Sequence, residues 1–76
     1  MSFRRSSIKT EIYDGENWIP FNFEDLDIDM IFRTYNLNNE LNTDSLGHTI
    51  FKVDKKANSE NGFTYTVDCH PYLEII

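Results

Sequence analysis

From residue 63 to residue 70 the side chains alternate, with Phe63, Tyr65, Val67 and Cys69 on one side and Thr64, Thr66, Asp68 and His70 on the other. Successive residues point to opposite faces only in extended backbone, so this period of two predicts a half-buried strand over 63–70. Its β-branched and aromatic residues suit a pleated surface. Asn61-Gly62 stands immediately before it, and both residues tolerate positive φ, which marks a turn. The same period recurs twice upstream. Thr49, Phe51 and Val53 oppose Ile50 and Lys52, and Met30, Phe32 and Thr34 oppose Ile31, Arg33 and Tyr35. Runs 49–53 and 63–70 read as a hairpin whose loop is the polar stretch 54–62.

At the N-terminal end, run 8–13 leads into Asp14-Gly15 and run 18–23 returns, a second hairpin signal. Pro20 has no N–H for a ladder, so 18–23 is expected at an edge or irregular. Segment 23–31 alternates acids with apolar residues. It fits an entering strand with Leu26, Ile28 and Met30 inward, or a single helical turn capped by Asn22; a loop or short turn is favoured. The asparagine-rich stretch 36–45 reads as a loop pinned by Leu37 and Leu41. No segment supports an amphipathic helix of three turns. Together these runs predict a mainly β chain: a small antiparallel five-stranded barrel of the Src-homology type, or a strongly curled sheet. An open sheet that dimerises through its bare face is the alternative. The 76 residues allow one small domain, with residues 1–6 as a flexible terminus. Such a domain buries only about 60% of its unfolded surface, so its stability margin is thin.

Charge is unevenly spread. Net charge is −6, yet residues 1–10 carry Arg4, Arg5 and Lys9 and no acid. Residues 11–29 carry Glu11, Asp14, Glu16, Glu24, Asp25, Asp27 and Asp29 and no base. An acidic surface repels phosphate backbones, which argues against nucleic acid as a partner. Aromatic residues make up 14% of the chain, too many for wholesale disorder. No apolar run approaches the roughly 18 residues of a membrane span, and the polar start lacks a signal-peptide core. Cys69 is the sole cysteine, so no internal disulfide forms. These features suggest a soluble protein of the cytoplasm, with no membrane partner.

No catalytic constellation emerges. Asp25, Asp27 and Asp29 sit like the first ligands of a calcium loop, but Met30 and Asn36 stand where that loop needs Gly and Glu. Asp68, Cys69 and His70, with His48 far off, give one local Cys/His cluster where tetrahedral zinc needs two. Cys69 points inward with Val67 and reads as a small core hydrophobe. Glu11, Glu16, Glu24 and Asp25 offer carboxylates, but nothing marks a buried pair. The scattered glycines form no phosphate loop. We therefore expect no enzyme, no metal and no cofactor. Trp18 either closes a barrel or forms an exposed anchor with Tyr13 and Phe21. The apolar end Tyr72-Leu73-Glu74-Ile75-Ile76 either adds a last strand or lies in a subunit interface.

The order of landmarks is also informative. Trp18-Ile19-Pro20-Phe21 is followed by Asp29-Met30-Ile31-Phe32-Arg33-Thr34-Tyr35, then by Gly47-His48-Thr49-Ile50-Phe51-Lys52-Val53. Asn61-Gly62-Phe63-Thr64-Tyr65-Thr66-Val67-Asp68-Cys69 completes the series. This succession resembles a group of small uncharacterised proteins encoded by tailed bacteriophages and prophages. In that group a Gly-Asp-type entry to the Ile-Phe-Arg strand and an acidic Pro-Asp-Gly-like turn after it are expected. Here Met30 replaces the first and Asn36-Leu37-Asn38-Asn39 the second. The resemblance implies a phage origin and no particular activity.

Three functional expectations follow. The first is a non-enzymatic accessory protein that binds a host or phage protein through Asp25, Asp27, Asp29, Trp18 and Tyr13, one version being an inhibitor of a host defence protein. The second is a homo-oligomeric structural or assembly component, even a virion part, joined through Tyr72, Leu73, Ile75 and Ile76. The third is a nucleotide-sequestering oligomer with Arg33 as the ligand-binding residue.

Overall fold

Asp14, Asn36 and Asp44 each open a turn by capturing two backbone N–H groups ahead of them. The computed structural model describes residues 2–5, 9–60, 62 and 64–73, with backbone pairing alone for 2–5. Its strands are β1 (Ser2–Arg5), β2 (Thr10–Tyr13), β3 (Trp18–Phe21), β4 (Ile31–Thr34), β5 (Phe51–Ser59) and β6 (Tyr65–Pro71), and the only helical piece among the described residues is a 3-10 turn at Phe23–Asp25. Every paired neighbour is antiparallel, in one sheet of order β1-β6-β5-β4-β2-β3.

The mainly β, antiparallel expectation is met, but the sheet does not close into a barrel: β1 and β3 are left as its two edges. Residues 2–5, assigned to a flexible terminus, pair along β6 from Ser2↔Asp68 to Arg5↔Tyr65 and add a sixth strand. Stretch 54–59, expected as loop, continues β5. Polarity misled there, because β5 stays paired to β6 and still turns Ala57 inward while Asp54, Lys55 and Lys56 are exposed.

The β2–β3 hairpin follows its sequence closely. The Asp14 carboxylate accepts from the backbone N–H groups of Glu16 and Asn17, both at 2.8 Å, and Gly15 takes φ 108°. Asp14 N–H also donates to the Asn17 carbonyl at 3.1 Å. Antiparallel pairs alternate between bonded and non-bonded, so Ile12/Ile19 and Thr10/Phe21 exchange bonds and Glu11/Pro20 do not. The nitrogen of Pro20 therefore faces the open edge, where its missing N–H breaks no ladder bond.

One layer of irregular chain covers the inner face of the sheet. Phe23, Leu26, Phe32, Phe51, Val53, Ala57, Val67 and Cys69 form the core, with Ile12, Phe21, Met30 and Tyr65 packed around it. Phe32 meets Phe23 edge-on at 6.4 Å between ring centroids and lies 6.0 Å from Phe51. Segment 22–30 is held across this face by three backbone bonds: Ala57 N–H to the Leu26 carbonyl, Asp29 N–H to Val53, and Val53 N–H to Met30. β5 shifts register against β6 between Val53 and Lys55 and again before Asn58, and such irregularities bend a strand. Leu26 is buried as expected, but Ile28 is 58% exposed, because Asp29 turns the chain away at φ 70°. Asn22 precedes the 3-10 turn without a side-chain capping bond. Leu41 bridges to Tyr35, whereas Leu37, expected to pin the same loop, is 95% exposed at the tip of the Asn36 turn. The inward placement of Phe63 lies outside the described residues.

Removing most of a buried phenylalanine side chain costs about 3–5 kcal/mol through lost transfer energy and the cavity left behind. Small domains rest on margins near the low end of about 5–15 kcal/mol. Phe32→Ala is therefore expected to lower the urea midpoint drastically or unfold the chain, and an unchanged midpoint would contradict the core placement. Burial pushes the Cys69 thiol up to about 12. A disulfide reagent should thus leave Cys69 intact in native buffer and modify it within minutes in urea; fast native modification would refute its burial.

Candidate functional site

The face of the sheet opposite the core carries a cluster that the strand registers assemble. Glu11 lies between Pro20 on β3 and Arg33 on β4, and Tyr13 pairs with Trp18. Since Thr34 and Phe32 point into the core, Arg33 and Tyr35 point the other way. Ile31 pairs with Lys52 and Lys52 with His70, which extends the same face across β5 and β6.

Arg33 is the hub. Its Nε donates to Glu11 Oε1 at 2.9 Å, and the Tyr35 hydroxyl donates to that same oxygen at 2.9 Å. The guanidinium lies 4.2 Å from the Trp18 ring centroid and 5.8 Å from that of Tyr35. Lys9 Nζ sits 4.5 Å over the Tyr35 ring, and Tyr13 tilts against Trp18 at 5.2 Å. Stacking and an ion pair together hold a planar, permanently charged group in one orientation. Trp18, Tyr13, Arg33 and Tyr35 are all half-buried, so this face is packed within itself and still open to solvent. Farther along the same face, on β5 and β6, Lys52 Nζ lies 5.6 Å from the Tyr72 ring and His70 bonds to Asp54 at 2.7 Å.

Electrostatics follow this packing. Burial pushes the Glu11 carboxyl up, but the hydrogen bonds from Arg33 and Tyr35 and the charges of Arg33 and Lys9 outweigh it, leaving Glu11 below its ordinary value. The Tyr35 phenol is raised by burial and by its bond to Glu11. Asp14 is lowered by the backbone N–H groups of Asn17 and Glu16. Asp44 is raised by burial but more strongly lowered by its bonds with His48 and the Leu46 N–H.

The residues singled out by sequence divide between two sides. Trp18, Tyr13 and Arg33 come together in one cluster. Asp25, Asp27 and Asp29 do not join them: they are exposed on the segment whose Phe23 and Leu26 plug the inner face. Phe21, proposed beside Trp18 and Tyr13, instead packs on the core side. Trp18 closes no barrel, since none forms. Tyr72 and Leu73 line a cleft of about 250 Å³ with Gly47, His48, Thr49 and Ile50, while Ile75 and Ile76 lie outside the described residues. Lys9, Glu11 and Tyr35 were missed. Sliding run 8–13 against run 30–35 as neighbouring strands would have brought Glu11 opposite Arg33. Asp68 and His70 are exposed and Cys69 is buried behind them; among the described residues no three His, Cys, Asp or Glu side chains gather as metal ligands. Nor is any helix among them long and apolar enough to cross a membrane.

A carboxylate lowered by folding adds stability above its unfolded value and loses that contribution as pH falls through its folded value. The stability gap between the native chain and Glu11→Gln should therefore be widest near about pH 7 and shrink toward about pH 3. Urea titrations at both pH values measure it, and a gap that does not change with pH would deny the ion pair its role. No protein-family model, curated protein or solved structure matches this chain.

Proposed function

We propose that this chain is a non-enzymatic accessory protein of phage or prophage origin that binds a host or phage protein through the open aromatic face of its sheet, in the cytoplasm of the bacterial cell. One observation carries this reading: Trp18, Tyr13, Arg33 and Tyr35 are gathered half-exposed on a face that no other described segment of the chain covers. Trp, Tyr and Arg are the residues on which binding energy concentrates at protein interfaces. In this reading the register shifts of β5 curl the sheet around Phe23 and Leu26 and turn the aromatic face outward. The β3 edge itself is a poor place for strand addition, because the Pro20 nitrogen faces the open side. Inhibition of a host defence protein is one form such binding takes.

Affinity capture from host lysate tests the surface. Trp18→Ala is expected to lose the partner, while a variant with Asp25, Asp27 and Asp29 all changed to Asn retains it. The reverse pattern would transfer the contact to the acidic segment. A second reading, self-association as an assembly component, is favoured by Leu46 and Leu73, which are 80% and 68% exposed, Leu73 lining the cleft and Leu46 preceding it in sequence. Sedimentation of the native chain and of Leu73→Glu decides it: an identical monomer in both cases removes that reading.

A further inference from the structure

Charges of both signs share the open face: Glu11 pairs with Arg33, and Asp54, bonded to His70, and Asp68 lie farther along it on β5 and β6. Arg33 and Lys52 project from the open face, and Lys9 lies over Tyr35 on that face. Among the described residues Glu11 is the only carboxylate paired with Arg33, through Nε, and the Tyr35 hydroxyl also lies against a guanidinium that carries five N–H donors in all. The island is small and bordered by acid: Asp14 and Glu16 sit on the turn beyond Tyr13 and Trp18, and Glu40 follows Asn39, whose side chain meets Lys9 at 3.5 Å. An extended polyanion laid across it would run onto those acids, and the net charge of −6 opposes it at longer range. A single negative group placed over Arg33 meets the cation and avoids the border.

We propose that the Arg33 guanidinium, stacked on Trp18 and held by Glu11, seats one carboxylate of a partner polypeptide, with the Trp18–Tyr13 pair taking the apolar residue beside it. This rests on the reading of the open face as a protein-binding surface. Because Arg33 is already oriented, little side-chain freedom is lost when the carboxylate arrives, and the planar fork favours a two-oxygen acceptor. The occupant is thus an acidic-and-apolar peptide segment rather than a nucleic acid.

Selecting a random-peptide library on the immobilised full chain, and measuring the best peptide by fluorescence anisotropy, tests this without knowledge of the natural partner. The selected peptides should share an Asp or Glu next to an apolar residue. Replacing that acid with its amide should weaken binding roughly 10- to 100-fold, the range of a hydrogen bond between charged groups. This replacement leaves the protein untouched, so folding cannot confound it. Arg33→Lys, which keeps the charge and loses the fork, should weaken binding similarly. Peptides without an acid that still require Trp18 would overturn the carboxylate seat and leave the protein-binding face standing. Peptides indifferent to both Trp18 and Arg33, or no selected peptide at all, would overturn both. Oligothymidylate binding more tightly than any peptide, and lost in Arg33→Lys, would also overturn both in favour of single-stranded nucleic acid.

Discussion

Three backbone hydrogen bonds between segment 22–30 and β5 are the constraint on which the rest of the molecule depends. A single sheet has two faces and must hide one of them, and the described residues hold no second sheet or long helix to do so. The bonds from Ala57 to Leu26, Asp29 to Val53 and Val53 to Met30 fix irregular backbone where a paired strand would otherwise run. They satisfy polar groups that would be expensive to bury unpaired, and they deliver Phe23 and Leu26 onto Phe32, Phe51 and Val67. Among the described residues no buried side-chain nitrogen or oxygen lacks a partner. Thr34, the one wholly buried hydroxyl on β4, is met by the Asn42 side chain at 3.0 Å.

The uncovered face is stabilised by a different device. Glu11, Arg33, Tyr35 and Trp18 belong to β2, β4, the residue after β4 and β3, so their contacts run across the strands. An exposed ion pair contributes little alone, but ring stacking shields this one and removes much of its freedom. The cluster therefore fastens the outer hairpin to the body of the sheet while leaving ring edges in contact with water. The contacts that join three strands also hold Trp18 and Arg33 in fixed orientation on that face.

Period two read the strands well wherever inward residues were large and outward residues polar. β4 and β6 match their alternation, and Asp14-Gly15 fixed the first hairpin. It failed where a different physical cause governed. Pairing with β6 carries β5 through Asp54, Lys55 and Lys56 even though their side chains bring no burial. Ile28 and Leu37 are apolar but sit where turns set by Asp29 and Asn36 throw them outward. The candidate face was half legible. Trp18, Tyr13 and Arg33 stood out by residue type, but their meeting depends on β2 lying between β3 and β4, and non-local strand order leaves no trace in local alternation. For the same reason the acids of 25–29 looked contiguous with Trp18 in sequence and ended up across the sheet from it.

Strand order also decides how this molecule can be attached to anything else. Ser2 lies opposite Asp68 and Pro71 closes β6, so both ends of the described chain emerge on the flank formed by β1 and β6, with β5, β4 and β2 between them and Trp18. Chain joined to β1 or to the end of β6 starts at least three strands away from the tryptophan corner. Anchored by one flank, the molecule would present the opposite corner to its surroundings.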